Sequence, residues 1–199
     1  MKSATSLSRA GFVLAGGKSS RMGTNKAFLE FEGQTLLARA LATLKTVSGN
    51  VLIVGDLDTF AEIGPAVEDL IPNCGPLGGI HTALSHSAAE FNLMLAVDMP
   101  FVSRELLELL LKTAEETGAT VTVPRTSRGF QPLCAVYRPQ FLYIAETSLR
   151  AGKYKIDAAF ANIELRTIEE RELAAAGFSE RNFFNLNTPE DLRAADKVE

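Results

Sequence analysis

The stretch GFVLAGGKSSRMGTNK, residues 11–26, decides the fold that the sequence predicts. Its first five residues are apolar and are followed by two glycines, a pattern typical of a buried β-strand that ends in a tight turn. The turn carries three cations, Lys18, Arg21 and Lys26, and no acid. Such a loop indicates a polyphosphate site, because backbone N–H groups at glycines and cationic side chains both stabilise negative charge.

This basic loop stands out in an acidic chain. Residues 1–29 hold five lysines and arginines and no acidic residue, whereas the whole chain has a formal net charge of −4. Neither the Walker motif GxxxxGK[ST] nor the dinucleotide motif GxGxxG occurs in the loop, so another kind of nucleotide site is predicted. The alternative is an ordinary glycine turn after a strand, which the local excess of positive charge disfavours.

Composition argues against several classes of protein. The chain has 199 residues, 46% of them hydrophobic, which predicts one domain over residues 1–199 with a substantial core. The acidic balance argues against nucleic-acid binding, and no apolar run approaches the ~20 residues of a membrane span. Cys74 and Cys134 belong to no paired-cysteine motif, which favours reduced thiols in a cytoplasmic protein. His81 and His86 would point to different sides of a helix, which argues against a metal pair.

Apolar runs alternate with amphipathic stretches along the chain. Strand candidates are residues 11–15, 51–54, 91–97, 121–123 and 133–137, and helices are predicted over residues 35–45, up to residue 86, after Ser103 and after Thr188. This alternation predicts an α/β fold with a mainly parallel sheet wrapped by helices. Because ligands bind beyond the carboxyl ends of such strands, the loops 16–25, 55–58 and 98–102 are the expected site.

The segment LAGGKSSRMGTNKAFLEFEGQTLL, residues 14–37, resembles the signature of the molybdenum cofactor guanylyltransferases, within the nucleotide-diphospho-sugar transferase-like superfamily. The resemblance implies a three-layer α/β/α sandwich with a Rossmann-like, mainly parallel central sheet. It also implies nucleotide contacts from the start of the loop and from two lysines, namely Leu14, Ala15, Gly16, Gly17, Lys18 and Lys26. Asn25 replaces a frequent family aspartate, which changes the local charge more than the type of reaction.

Asp98 directly follows the most apolar strand candidate. A hard carboxylate at that position suits Mg²⁺, which usually takes one or two protein oxygens and completes its shell with phosphate and water. A plain turn before Pro100 is the alternative. The segment LAVDMPFVS, residues 95–103, resembles the family's metal-binding motif CDMPFv, with Val97 in place of the cysteine, and this implies that Asp98 binds the metal.

Two further aspartates are nucleotide-site candidates. The segment VEDLIPNCGPLGG, residues 67–79, resembles the family pattern D…GPLgGi, which implies that Asp69 contacts the guanine nucleotide. We interpret its neighbour Glu68 as a solvated residue. Gly78 belongs to a glycine cluster that would let the backbone approach the nucleotide. Asp56 follows the second strand where the family contacts the nucleoside, and an ordinary turn residue is equally consistent with its position.

Two C-terminal motifs are candidates for the acceptor site. The segment GFQPLCAVYR resembles the family's QPLfAly stretch, which implies that Gln131 and Pro132 lie in the half that receives the second substrate. FFNLNTPEDL resembles the family's f.NiNTPeDl, which links Asn185 and Asn187 to the pterin. The alternative is that Asn187 and Thr188 only cap the last helix.

The resemblance implies a magnesium-dependent enzyme that transfers GMP from GTP to Mo-molybdopterin and releases pyrophosphate. No protein nucleophile is required, because the attacking oxygen belongs to the acceptor. Arg21, Lys26 and Asp98 are then the expected catalytic residues, acting by positioning and charge neutralisation. Transient contact with molybdoenzyme apoproteins or chaperones is a further expectation.

Two other functions fit parts of the sequence. Cytidylyl transfer to molybdopterin or to a sugar or polyol phosphate would use the same scaffold, although related cytidylyltransferases tend to carry LAAG where this chain has LAGG. A non-catalytic GTP-binding protein that delivers cofactor would need the basic loop, but neither Asp98 nor an acceptor segment. Pyrophosphate release separates this second alternative from both transferases.

Overall fold

The structure, a computed structural model, describes residues 8–16, 25–186 and 191. The strands are β1 (Arg9–Leu14), β2 (Glu30–Phe31), β3 (Gln34–Thr35), β4 (Val51–Val54), β5 (Ala66–Val67), β6 (Phe91–Ala96), β7 (Val121–Thr126), β8 (Gly129–Phe130), β9 (Cys134–Tyr137) and β10 (Leu165–Ile168). The helices are α1 (Leu36–Lys45), α2 (Leu57–Phe60), α3 (Gly75–Ser85), α4 (Arg104–Thr117), α5 (Phe141–Arg150), α6 (Ile156–Ala159) and α7 (Glu170–Ala175).

The central sheet runs in the order β10-β7-β9-β6-β1-β4-β5, and β8 pairs with β7. β1 is parallel to both of its neighbours, β4 and β6, and β4 is parallel to β5. The predicted mainly parallel sheet is therefore confirmed. β8 and β9 are exceptions that the sequence did not reveal, since β8 is antiparallel to β7 and β9 is antiparallel to β6 and β7. The short connection after β7 explains this direction, because a parallel return needs a long crossover.

Helices cover both faces of the sheet. Successive β1 residues alternate between the two faces, as the period of a strand requires: Val13 packs with α1 and α4, whereas Phe12 packs with α3 and α5. The two buried clusters make the three-layer sandwich that the resemblance implied. Within the part of the chain that the structure describes, no helix has both the length and the apolar character needed to cross a membrane.

Local signals set the ends of two predicted helices. The Thr35 side chain accepts a hydrogen bond from the Ala38 N–H at 3.2 Å and caps α1. The Ser103 hydroxyl accepts from the Leu106 N–H at 3.4 Å and caps α4, as predicted. Gly118, with φ of +64°, ends α4 in the left-handed conformation that glycine adopts without strain. These caps fix where α1 and α4 begin beneath the sheet.

Leu110 of α4 tests the packing of this layer. Its side chain is fully buried in the cluster beneath the sheet, so Leu110→Ala should lower the free energy of unfolding by about 2–5 kcal/mol through lost burial and a residual cavity. The matched control is Lys112→Ala on the exposed face of α4, which should stay within about 0.5 kcal/mol. Urea denaturation followed by circular dichroism measures both, and equal effects would contradict this packing.

Candidate active site

The register of the parallel strands aligns their carboxyl ends. Leu14 of β1 lies beside Val54 of β4 and beside Ala96 of β6, and Val54 lies beside Val67 of β5. The residues two positions after each of these leave the sheet along one edge, and they are Gly16, Asp56, Asp69 and Asp98. One glycine and three carboxylates predicted from separate motifs are thus collected on one side of the sheet.

Lys26 and Asp98 form a contact at this edge. The Lys26 Nζ lies 3.5 Å from the Asp98 Oδ2, and the two side chains are 25% and 19% exposed. Lys26 opens a short 3₁₀ helix whose cap is Asn25, since the Asn25 Oδ1 accepts from the Ala27 N–H at 3.1 Å. An aspartate at position 25 could cap in the same way. The replacement therefore keeps the cap and removes a negative charge beside Lys26.

The backbone on both sides holds Asp98 in place. The Val97 N–H donates to the Leu14 carbonyl at 3.2 Å, and the Leu186 N–H donates to the Asp98 carbonyl at 2.8 Å. Burial raises the pKa of Asp98 above its ordinary value, and the nearby Lys26 ammonium lowers it by a smaller amount. A carboxylate that is partly desolvated and faces one lysine is suited to a cationic partner.

Asp69 has a carboxylate oxygen that finds no hydrogen-bond partner in the part of the chain that the structure describes. Its Oδ1 is buried and accepts no hydrogen bond from the described residues. Two glycines leave room for it, since a β-carbon at Gly16 would lie 3.3 Å from the Asp69 Oδ2 and one at Gly79 would lie 3.8 Å from the Oδ1. Burial raises the pKa of Asp69, and a hydrogen bond with Thr82 partly opposes that rise. This carboxylate can accept a hydrogen bond from a ligand.

Thr82 is a supporting residue that the sequence reasoning missed. Its hydroxyl accepts from the Leu70 N–H at 3.0 Å and thereby fixes the backbone next to Asp69. The signal in the sequence is a threonine inside the mostly apolar helix α3, where the structure buries it fully. That signal does not reveal its partner, because periodicity reports which face of a helix is buried and not what the face meets.

Gly78 serves the packing of α3. A β-carbon there would lie 3.1 Å from the Cys74 Cβ and 3.2 Å from the Ile71 carbonyl oxygen, so the helix approaches its preceding loop closely. Of the two adjacent glycines of α3, Gly79 is the one that faces Asp69. A direct nucleotide contact by Gly78 stays a prediction.

Asp56 caps α2. Its Oδ1 accepts from the Thr59 N–H at 2.7 Å and also from the Thr59 hydroxyl. These hydrogen bonds hold the pKa of this exposed carboxyl below its ordinary value. The ordinary turn role therefore describes its contacts within the protein, and its predicted contact with the nucleoside stays a prediction.

The predicted acceptor residues lie on the other side of β6. The Ala96 N–H donates to the Leu133 carbonyl at 2.8 Å, so the residues before β9 meet the end of β6. The Gln131 Nε2 donates to the Thr126 Oγ1 at 3.0 Å, and the Pro132 carbonyl accepts from the Tyr137 hydroxyl at 2.8 Å. Both acceptor candidates are thus fixed to the sheet at the edge that carries Asp98.

Asn185 is exposed next to the buried Leu186, whose N–H meets Asp98. The remaining candidates lie outside the described residues, and they are Gly17, Lys18, Arg21 and Asn187, together with the predicted helix start at Thr188. Among the residues described, no group of three His, Cys, Asp or Glu side chains could hold a metal ion. A cation at this edge would therefore depend on one or two carboxylates and on its ligand's own oxygens.

The sequence and the fold are similar to those of known proteins. Residues 11–164 match the family of the MobA-like NTP transferase domain. A probable molybdenum cofactor guanylyltransferase from Pelotomaculum thermopropionicum is 39% identical over 188 residues, which cover 94% of this chain and 91% of the relative. Molybdopterin-guanine dinucleotide biosynthesis protein A from Archaeoglobus fulgidus matches with a TM-score of 0.82 and 27% identity over 95% of this chain and 97% of that one.

The similarity of this chain to a cytidylyltransferase is one of fold alone. The 2-C-methyl-D-erythritol 4-phosphate cytidylyltransferase from Thermus thermophilus has a TM-score of 0.66 at 18% identity, covering 94% of this chain and 98% of that one. The nucleotide must therefore be argued from side chains at the site and not from the architecture.

Asp69 gives the site a testable dependence on pH. Because its pKa is raised in the folded state, the folded protein binds the proton more tightly than the unfolded chain does. Stability is then lost as the pH rises from the ordinary value of about 3.9 through the raised pKa. Asp69→Asn should unfold at a higher temperature than the parent at pH 7, and its advantage should shrink toward pH 4.

Differential scanning calorimetry at a series of pH values measures this effect. The control is Glu68→Gln, an exposed neighbour whose substitution should leave the unfolding temperature unchanged. An Asp69→Asn protein that is less stable than the parent at pH 7 would contradict the interpretation of Asp69 as a carboxylate whose burial is unfavourable.

Proposed function

The chain belongs to the MobA-like NTP transferase family, and on this basis we propose that it is a molybdenum cofactor guanylyltransferase. It transfers GMP from GTP to Mo-molybdopterin and releases pyrophosphate, with residues 1–199 acting as one nucleotidyltransferase domain. The observation that carries the proposal is the contact of Lys26 with Asp98. In the order of the strands, Asp98 after β6 lies between Gly16 and Asp69 on one side and Gln131, which precedes β9, on the other.

The reaction requires positioning and charge neutralisation. A terminal phosphate oxygen of the acceptor attacks the α-phosphorus of GTP, and the bond from that phosphorus to the bridging oxygen of pyrophosphate breaks. The nucleophile belongs to the substrate, so the protein contributes orientation and cations. In this proposal Lys26, with Lys18 and Arg21, stabilises the negative charge of the departing pyrophosphate.

Asp98 is the residue that would hold Mg²⁺. A single hard carboxylate, mostly buried and held by its backbone, fits this cation, because Mg²⁺ usually takes one or two protein carboxylates and otherwise binds phosphate and water. When bound, the ion supplies positive charge to the phosphates of the two substrates. Lys26 already faces the Asp98 carboxylate, so the cationic side chain lies where those phosphates would be neutralised.

Asp69 supports GTP as the donor. A carboxylate only accepts hydrogen bonds, and guanine presents two adjacent donors, the N1–H and the 2-amino group. Cytosine places an acceptor beside its single amino donor, and that acceptor would face the negative charge. The Asp69 Oδ1 is buried without a partner among the described residues, so the correct base gives this oxygen a partner and a mismatched base leaves it unsatisfied.

Nucleotide selectivity is the first test of the proposal. In calorimetry with Mg²⁺, GTP should bind at least about tenfold more tightly than CTP, ATP or UTP, because only guanine satisfies Asp69 with two donors. Asp69→Asn should lose most of this preference, while the exposed control Glu68→Gln should keep it. Preferential binding of CTP would overturn guanylyl transfer in favour of cytidylyl transfer.

Asp98 is the second test. Asp98→Ala should slow pyrophosphate release from GTP in the presence of Mo-molybdopterin by about 100-fold or more, because charge at the phosphates is no longer neutralised by a bound cation. The variant should keep a native circular dichroism spectrum. The control Asp157→Asn, an exposed acid in α6, should react at the parent rate.

A near-normal rate for Asp98→Ala would overturn its assignment as the metal residue. A parent protein that binds GTP tightly yet never releases pyrophosphate with any pterin acceptor would instead indicate a cofactor-delivery protein. The two results are distinguishable, since the first concerns one residue and the second concerns the reaction itself.

A further inference from the structure

The segment of residues 180–186, called the brace here, connects the two halves of the site. At its beginning, the Glu180 Oε2 accepts from the Ser127 hydroxyl at 2.6 Å, and the Glu180 Oε1 pairs with the Arg128 guanidinium. Ser127 and Arg128 form the turn between β7 and β8. One carboxylate of the brace therefore holds the tip of this hairpin through two neighbouring residues.

The rest of the brace, from Arg181 to Leu186, is attached to the loop that carries Asp98. The Asn182 Nδ2 donates to the Phe101 carbonyl at 3.2 Å, and the Arg181 guanidinium lies 5.3 Å from the centre of the Phe101 ring. The Leu186 N–H donates to the Asp98 carbonyl, and the Leu186 side chain is fully buried. The brace is thus anchored in the core beside Asp98. The hydrogen bond and the ion pair of Glu180 therefore restrain the position of the hairpin.

The hairpin tip is directly coupled to Gln131. Thr126, the residue before the turn, accepts from the Gln131 Nε2 at 3.0 Å. The Gln131 N–H donates to the Pro124 carbonyl of β7 at 2.8 Å. A displacement of the turn would therefore move the groups that position Gln131 relative to Asp98.

We propose that Glu180 is a positioning residue for the acceptor substrate, acting through Ser127 and Arg128 on the Gln131 hairpin. This inference rests on the proposed function, because it takes the hairpin and Gln131 as part of the acceptor site. Glu180 makes none of its hydrogen bonds or ion pairs with the donor side of the site at Lys26 or Asp69. Its effect is accordingly confined to the acceptor.

The exposure of these side chains separates positioning from stability. The Arg128 side chain is 68% exposed and that of Glu180 is 33% exposed, and such surface pairs contribute little to the free energy of unfolding. Small shifts of binding groups nevertheless have large effects on substrate binding. Loss of Glu180 should therefore change the acceptor KM much more than the unfolding temperature.

The test uses the single variants Glu180→Ala, Glu180→Arg and Arg128→Glu and the double variant Glu180→Arg with Arg128→Glu. In the transfer assay at saturating GTP, each single variant should raise the acceptor KM about fivefold with kcat within about twofold, since binding of ground state and transition state falls equally. The GTP dissociation constant should not change. The double variant should recover most of the loss, because the opposite charges meet again with exchanged positions.

The control is Glu116→Ala, which removes a comparable surface acid paired with Lys112 in α4 and should leave the acceptor KM unchanged. An unchanged KM in Glu180→Ala, or a double variant no better than Arg128→Glu alone, would overturn the inference. A change in GTP affinity equal to the change in KM would also overturn it, since it would indicate a general structural role.

Hydrogen–deuterium exchange of the parent and Glu180→Ala proteins gives a readout that needs no acceptor. Amides of residues 125–130 should exchange faster in the variant, whereas those of β1 should not change. Equal exchange in the hairpin would overturn the brace whatever the activity. Failure of the parent protein to transfer GMP would instead overturn the proposed function, while the exchange result would still decide whether Glu180 holds the hairpin.

Discussion

The parallel pairing of β1 with its two neighbours is the constraint on which the site depends. Because Leu14 is in register with both Val54 and Ala96, three neighbouring strands end at the same level, and the residues that follow them lie at the same end of the sheet. A shift of either pair by one residue would send the side chains to the opposite face of the sheet. The buried helices α1, α3 and α4 specify this register, since each packs on an alternating row of strand residues.

This arrangement places unfavourable electrostatics where a ligand can relieve them. Burial raises the pKa of both Asp69 and Asp98. In the folded protein the neutral form of each carboxyl is therefore favoured more than it is in water. The Lys26 ammonium offsets only part of the effect of burial on the pKa of Asp98. A ligand that brings hydrogen-bond donors to Asp69 and a cation to Asp98 therefore binds more tightly, because it offsets the unfavourable burial of charge that folding has already caused.

The sequence predicted the donor half of the fold well and the acceptor half less well. Apolar runs and cap residues located β1, β4, β6, α1 and α4, because each of these elements is specified by local pattern alone. The antiparallel direction of β9 depends on a short connection, and the partner of Thr82 depends on a tertiary contact. Neither can be predicted from the local sequence pattern. The position of Glu180 is similar, since its contacts with Ser127 and Arg128 span more than fifty residues of chain.

The direction of β9 has a consequence for how such a protein can diversify. On the donor side the chain reaches the site at the end of a strand, and each loop there must also return through a helix to the next strand. At the acceptor side the chain reaches the site in the short connection between the antiparallel strands β7 and β9 and returns directly to the sheet. Residues of that connection can be exchanged or added without moving a helix, so a new acceptor can be accommodated while the nucleotide half is inherited intact.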